Sequence, residues 1–296
     1  MNRSQAGAVA LSLSSALLYA ITSVLQQSAA CRVPAERSLR PGLLVDLVRH
    51  PRWLLGGVAE VGAVVLQFLA LRTGSLLVVQ TLLVTGLLFA IPMAATLRHE
   101  RLSARDWSGT LLAVLGLAVF LAVARPTRGR GNASPLAWAV MLGLGGGIVA
   151  LLVVRAPAHP GARRAAVLGT ACGILFGLNA ALTKASGHLL DRGIGHALTS
   201  WEPYALAALG AYGFLLAQSA FHAGPLPASL PVLTVTDPLV AAVIGVFAFH
   251  EHVASSPAAL AAELTAVVAM VAGVFTLARS PLATTETAPG PAFHTD

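Results

Sequence analysis

The sequence predicts an all-α integral membrane protein with about nine transmembrane helices, in two inverted four-helix repeats joined by one linking helix. Three observations carry that prediction. Apolar residues make up 56% of the 296 residues, charged residues only 10%, and the mean hydropathy is +0.77, where a soluble domain carries roughly 25% charge. Nine segments reach the roughly 17–25 apolar residues that a bilayer crossing needs. Two stretches of the chain also align without gaps at one constant offset.

In chain order, Ala6–Ala30 is the first crossing. Gln26 and Gln27 interrupt its apolar run, so Ser28-Ala29-Ala30-Cys31 is not read as a lipoprotein cleavage site, and the helix is retained. The charged stretch that follows, Glu36–Trp53, is too polar to span. Leu43, Leu44, Leu47 and Val48 fall at helical spacing on it, which predicts a short amphipathic helix in the interface. Trp53–Leu71, Leu76–Thr96 and Trp107–Ala124 complete a first repeat over residues 1–124.

Leu136–Val154 is the linking helix, within residues 125–164. Gly145–Gly147 in it permit close helix contact or flexing; they follow no strand and are not a phosphate loop. Ala166–His188, Tyr204–Phe221, Ser229–Phe249 and Pro257–Ala278 form the second repeat, residues 165–278, with a polar interruption at Asp191–Pro203. The tail, 279–296, is rich in Pro, Thr and Ala and is expected to be disordered.

Loop charge sets an orientation. Of the 19 Lys and Arg, twelve fall on one side, including Arg32, Arg37, Arg40, Arg49 and Arg52 in the first loop, and seven on the other. The positive-inside rule puts the N-terminus outside and the C-terminus in the cytoplasm. Lys184 is the lone lysine against 18 arginines, a bias that suits a bacterium, so a bacterial plasma membrane is expected.

The repeat aligns Leu77–Glu100 on Ala228–Glu251, with His99-Glu100 on His250-Glu251, Thr85 on Thr236 and Gly86 on Asp237. The same offset puts Gln67 on Gln218, and Tyr19–Gln27 roughly matches Phe176–Lys184. One helix between two four-helix units inverts the second unit. Inverted repeats with a midplane site between them are a recurring transporter design.

Candidate site residues emerge from polarity at depth. Asp237, followed by Pro238, lies near the middle of its helix, and Glu60 near the middle of another in the opposite half. Carboxylates there cost about 2.5–3.5 kcal/mol on insertion scales and are usually functional. Pro238 also frees a carbonyl one turn earlier. Two acids in one cavity need a cation or a proton to compensate. Gln67 and Thr236 offer neutral oxygens suited to a hard ion such as magnesium.

Lys184 has two readings: it neutralises a cavity acid or meets an anionic solute, or it snorkels to the outer headgroups. Asn179 and Gln218 are further candidates, although polar groups in such helices often serve helix–helix hydrogen bonds. Glu263 has no polar neighbour at helical spacing except Ser256, so structural pairing is equally expected. His250, Glu251 and His252 do not share one helix face and read as a loop rather than a metal cluster.

The two cysteines, Cys31 and Cys172, give no metal-ligand spacing, and no nucleophile–base pair points to an enzyme. No cofactor is expected. The net charge of +7 is short-loop arginine, with no aromatic-interleaved basic stretch for nucleic acid. The partners expected are the lipid bilayer, a small solute or cation (magnesium or a proton among them) and, as an open alternative, a second copy of the chain.

On Arg98-His99-Glu100-Arg101-Leu102 followed by the glycine-bearing Trp107–Gly116, the chain resembles the drug/metabolite transporter superfamily, EamA-like. Its members end a helix in Gly-Glu-Arg-Leu; His99 replaces that glycine, and the second half has the weaker His250-Glu251-His252-Val253. Val58–Gly62, Gln67–Ala70, Ile174–Lys184 and Gln218 are similar to the nine-helix NIPA-like branch, linked to magnesium transport. The resemblance implies a secondary transporter of a small solute working by alternating access. A NIPA-like divalent-cation transporter or channel is the alternative, and a non-transporting membrane scaffold the third.

Overall fold

The computed structural model describes residues 3–33, 39, 42–73, 79, 82–124, 132–159, 161–250 and 256–279. Among them there is no strand. The helices are α1 (Arg3–Ala30), α2 (Gly42–Val48), α3 (Pro51–Thr73), α4 (Gly86–Leu97), α5 (Ala104–Ala124), α6 (Pro135–Arg155), α7 (Gly161–Asp191), α8 (Ile194–Thr199), α9 (Glu202–Ala223), α10 (Leu226–Phe249) and α11 (Pro257–Ala278).

Eight of these, α1, α3, α5, α6, α7, α9, α10 and α11, are long and apolar enough to cross a membrane. Their outer faces expose Val58, Val61, Leu136, Val154, Phe247 and Leu264, each about two-thirds exposed or more. Apolar exposure on that scale belongs to a bilayer environment rather than to water. At 1.5 Å per residue α7 runs about 46 Å, longer than the hydrocarbon layer.

The expected third crossing, Leu76–Thr96, is not seen as one span. Its described helix is the twelve-residue α4. Before α4 the chain turns at Leu82–Thr85, where the Thr85 N–H (3.1 Å) and hydroxyl (2.6 Å) both return to the Leu82 carbonyl. A hydroxyl that takes an i−3 carbonyl competes with continued helix. Residues 74–78 and 80–81 lie outside the described residues, as do the tail from 280 and Glu251–Val253.

Local chemistry explains the helix ends. Ser103 and Asp106 exchange bonds at the start of α5: the Ser103 N–H (2.7 Å) and hydroxyl (2.6 Å) donate to the Asp106 carboxylate, and the Asp106 N–H donates to the Ser103 hydroxyl. This is a reciprocal capping box. Ser134 and Ser256 cap α6 and α11, each followed by a proline that gives up an N–H the helix does not need. At the end of α4, the His99 N–H returns to the Thr96 carbonyl and the Glu100 N–H to that of Ala95, with His99 at φ 55°. That is a Schellman ending, which favours glycine. His250, at the end of α10, has φ 51°.

Packing runs in pairs. α1 lies along α3 and against α4, α7 lies along α9 and α10, and α5 pairs with α11 across the molecule. The α5–α11 pair approaches so closely that a Cβ on Gly273 would sit 2.5 Å from the Ala113 nitrogen. The linking helix α6 leans on α7, with Gly145 against Leu178. The amphipathic helix expected after α1 is α2. Leu43 and Leu47 are fully buried in a cluster with Phe221 and Leu226, so α2 docks on protein, while Val45 and Val48 stay exposed.

Candidate functional site

α1 carries a polar stripe at Ser12, Ser15, Tyr19, Thr22 and Gln26, spaced three or four residues apart so that they share one face. α3 runs beside that face. The Ser15 hydroxyl donates to the Ala63 carbonyl at 2.7 Å, Thr22 to that of Gly56 at 3.0 Å, and Tyr19 to Gln67 Oε1 at 2.8 Å. Gln26 Nε2 donates to Glu60 Oε2 at 3.0 Å. Gly56 makes the approach feasible, since a Cβ there would meet Gln26 Cγ at 3.0 Å.

The stripe continues into the helices after α6. Gln218 of α9, wholly buried, donates from Nε2 to Gln26 Oε1 at 2.7 Å. Trp53 Nε1 donates to Gln218 Oε1 at 3.1 Å. Trp53, Gln218, Gln26 and Glu60 therefore form one chain in which each donor is committed to the next acceptor and the run ends on a carboxylate. The carboxyl group at the end of the run is held in orientation by that bond.

Glu60 and Asp237 face the same cavity, of about 640 Å³. Gln67 and Gln218 line it with them, beside Tyr19, Thr22, Ser23 and Gln26 from α1. The opposite wall comes from α10, where Thr234, Asp237 and Pro238 line it, and from the turn before α4 together with that helix's first residues. Phe176 of α7 and Phe214 and Phe221 of α9 add aromatic surface. α10 and α4 each carry an irregularity at the cavity: α10 runs unbroken but has Pro238, which cannot donate to the Thr234 carbonyl, and α4 starts after the turn at Leu82–Thr85.

Among the described residues Asp237 has no hydrogen-bond or ion-pair partner, unlike Glu60. No Lys, Arg or His side chain lines the cavity among the described residues. No group of three or more His, Cys, Asp and Glu that could hold a metal occurs among them either.

At the arginine-rich end, the end of α1 and the residues after it are tied to α9. There Gln27 Nε2 donates to the Gly224 carbonyl (3.4 Å), the Cys31 thiol to that of Phe221 (3.6 Å), and the Leu39 N–H to the Ser219 hydroxyl (3.2 Å). His222 Nε2 lies 2.8 Å from the Val33 carbonyl. Ala29, Ala30, Val33, Leu43, Leu47, Phe221 and Leu226 pack around these bonds.

Three candidates from the sequence stand off the cavity wall. Thr236 packs its side chain on Gly173 of α7, within the α7–α10 contact. Being one residue from Asp237, it sits about 100° around the helix, whereas Thr234, at i−3, shares the acid's face. Asn179 faces Gly210 of α9, and its Oδ1 is buried with no partner. Lys184 places its ammonium 4.5 Å from the centre of the Phe249 ring, toward the far end of α7. Glu263 leaves Oε1 buried and unpartnered on α11.

Tyr19, Gln26 and Thr234 are site residues that polarity at depth did not single out. The signal for the first two was present in the spacing of the α1 stripe, and for the third in its position one turn before Asp237.

No protein-family model matches the chain, and no solved structure matches it. An uncharacterized protein of Corynebacterium glutamicum is 31% identical over 245 residues, which cover 82% of this chain and 85% of that protein.

Proposed function

We propose, for a chain that belongs to the same family as the uncharacterized Corynebacterium glutamicum protein, that it is a secondary transporter moving a small solute by alternating access, of the drug/metabolite transporter kind. The observation that carries this reading is the meeting of Glu60, from before α6, and Asp237, from after it, on one cavity of about 640 Å³. That volume lies in the range of small-molecule sites. Two acids at membrane depth, with a proline inside α10 and the turn before α4 beside them, fit the arrangement by which transporters hold a solute or coupling ion.

A recurring packing pattern, which an inverted repeat would produce, supports the same reading. α1 packs with α3 and α4 as α7 packs with α9 and α10, and α5 meets its counterpart α11. His99 and His250, aligned in sequence, share a left-handed backbone at the same helix end. With the arginine-rich end cytoplasmic, the bonds from α1 to α9 close the inner side of the cavity. Alternation requires those bonds to part while the outer ends come together.

A NIPA-like magnesium pathway is the second reading, favoured by two carboxylates with amide oxygens beside them. Reconstitution into liposomes with a panel of amines, amino acids and magnesium tests both. Flux of any member that is lost in Asp237→Asn, with normal insertion, is the expected result. Flux unaffected by loss of both acids removes the reading. Growth rescue of a magnesium-uptake-deficient bacterium, run beside a metabolite export screen, separates the two solutes.

A further inference from the structure

We infer that the occupant of the Glu60–Asp237 cavity is an organic cation with an apolar body, a protonated or quaternary amine, and not a hydrated inorganic ion or an anion. The inference deepens the transport reading and rests on it only for the steps after binding.

Charge decides the sign. Two carboxylates line the cavity, and among the described residues no basic side chain does. The neutral groups nearest the acids bond to one another or to Glu60: one Gln26 N–H to Glu60, one Gln218 N–H to Gln26, and the Tyr19 hydroxyl to Gln67 Oε1. An anion entering here meets two carboxyl groups and, among the described residues, no basic side chain to balance it. A cation meets one carboxylate fixed in orientation, Glu60, and one without a partner among the described residues, Asp237.

The walls decide the body. Between the polar edge on α1 and α3 and the acid on α10 lie Phe176, Phe214, Leu230 and Leu233, with Leu117 and Leu121 of α5. Magnesium releases its waters reluctantly and needs oxygen in their place, which such surfaces do not supply. An alkyl or aryl ammonium sheds its water at little cost. Its carbon surface gains by burial, and aromatic faces attract the charged end. About 640 Å³ accommodates a body well beyond a bare ion.

The test is calorimetric titration of the full-length protein in detergent with benzyltrimethylammonium chloride. Parallel titrations use dimethylbenzylcarbinol (nearly the same shape without the charge), tetramethylammonium (the charge without the body), benzoate and magnesium chloride. The expected result is benzyltrimethylammonium binding about tenfold or more tighter than each of the others, reduced about tenfold in Glu60→Gln and in Asp237→Asn. Equal binding of the carbinol or benzoate overturns the inference, and so does magnesium binding more tightly and displacing the ammonium. The wild-type comparison alone decides if the variants do not fold. Liposome flux of an anion or neutral solute without ammonium binding sinks this inference and leaves transport standing. Ammonium binding without any flux leaves the inference standing and removes transport.

Discussion

Gln218 of α9 gives its side-chain amide to Gln26 of α1 at 2.7 Å, and Gln26 gives its own to Glu60 at 3.0 Å. The bond that ties the helices on either side of α6 is therefore coupled, through one amide, to the bond that orients the cavity acid. Glu60 and the α1–α9 contact at the arginine-rich end share one set of amides.

Gln218→Ala removes two hydrogen bonds, a buried one with Gln26 and a part-buried one with Trp53, and is expected to loosen the α1–α9 contact. At roughly 0.5–1.5 kcal/mol each, the closed arrangement loses about tenfold in population. Cys31, which touches Phe221 across that contact, reports the change. Maleimide labelling of Cys31 is expected to rise about tenfold in the variant, while Cys172, wholly buried, stays unlabelled. An unchanged Cys31 rate removes that role of Gln218.

Labelling of Cys31 also has a predictable pH dependence. Burial raises its thiol above the ordinary value, against a smaller lowering by Arg98. Because the thiolate is the reactive form, the rate at neutral pH falls below that of a free cysteine, and its rise with pH is displaced to higher pH. Rate profiles of the folded and urea-denatured protein measure the displacement.

Tyr19→Phe takes away only the hydroxyl that fixes Gln67, at 2.8 Å. A loss of about 0.5–1.5 kcal/mol is expected, with the α1–α3 packing otherwise kept. Thermal unfolding in detergent shows the small shift. Solute affinity changes as well if the freed Gln67 amide turns into the cavity.

Gly273→Ala forces a methyl group into the Ala113 backbone, where a Cβ has 2.5 Å. Neither side can yield, since Gly109 of α5 lies equally close, its carbonyl 2.6 Å from that Cβ. Overpacking of this kind costs about 1–3 kcal/mol, and the melting temperature falls accordingly. Gly146→Ala, with open space around it, serves as the control and leaves stability nearly unchanged.

His99→Gly works in the opposite direction. His99 has φ 55° at a Schellman ending, where a side chain is strained and glycine is not. The substitution is expected to stabilise by about 0.5–1 kcal/mol, and His99→Val to destabilise by more. The same pair of substitutions at His250, φ 51°, gives the same signs.

Much of this fold was legible because its signals are strong. Eight of the nine apolar segments correspond to helices long enough to cross, and α2 falls where Leu43 and Leu47 implied it. The third segment differs because hydropathy counts apolar residues and cannot see a break. The turn at Leu82–Thr85 is made by a threonine hydroxyl within an apolar run. Composition also pointed to Glu60 and Asp237, since acids stand out among leucine and valine. It misled at Thr236, where nearness in sequence stood in for the helix face that Thr234 shares with the acid. The departure at His99 was visible as a residue change, but its meaning, a left-handed position that tolerates histidine, needed the backbone.

The α1 stripe has a consequence for how the chain enters the membrane. Four of its side chains, Ser15, Tyr19, Thr22 and Gln26, spend their hydrogen bonds on α3. Until α3 arrives, α1 carries those groups into hydrocarbon with nothing beside them. The first crossing is therefore an unfinished half, and the piece that the insertion machinery can release at low cost is the α1–α3 hairpin. The bonds lead to the expectation that the two helices are delivered together, with Glu60 already paired to Gln26.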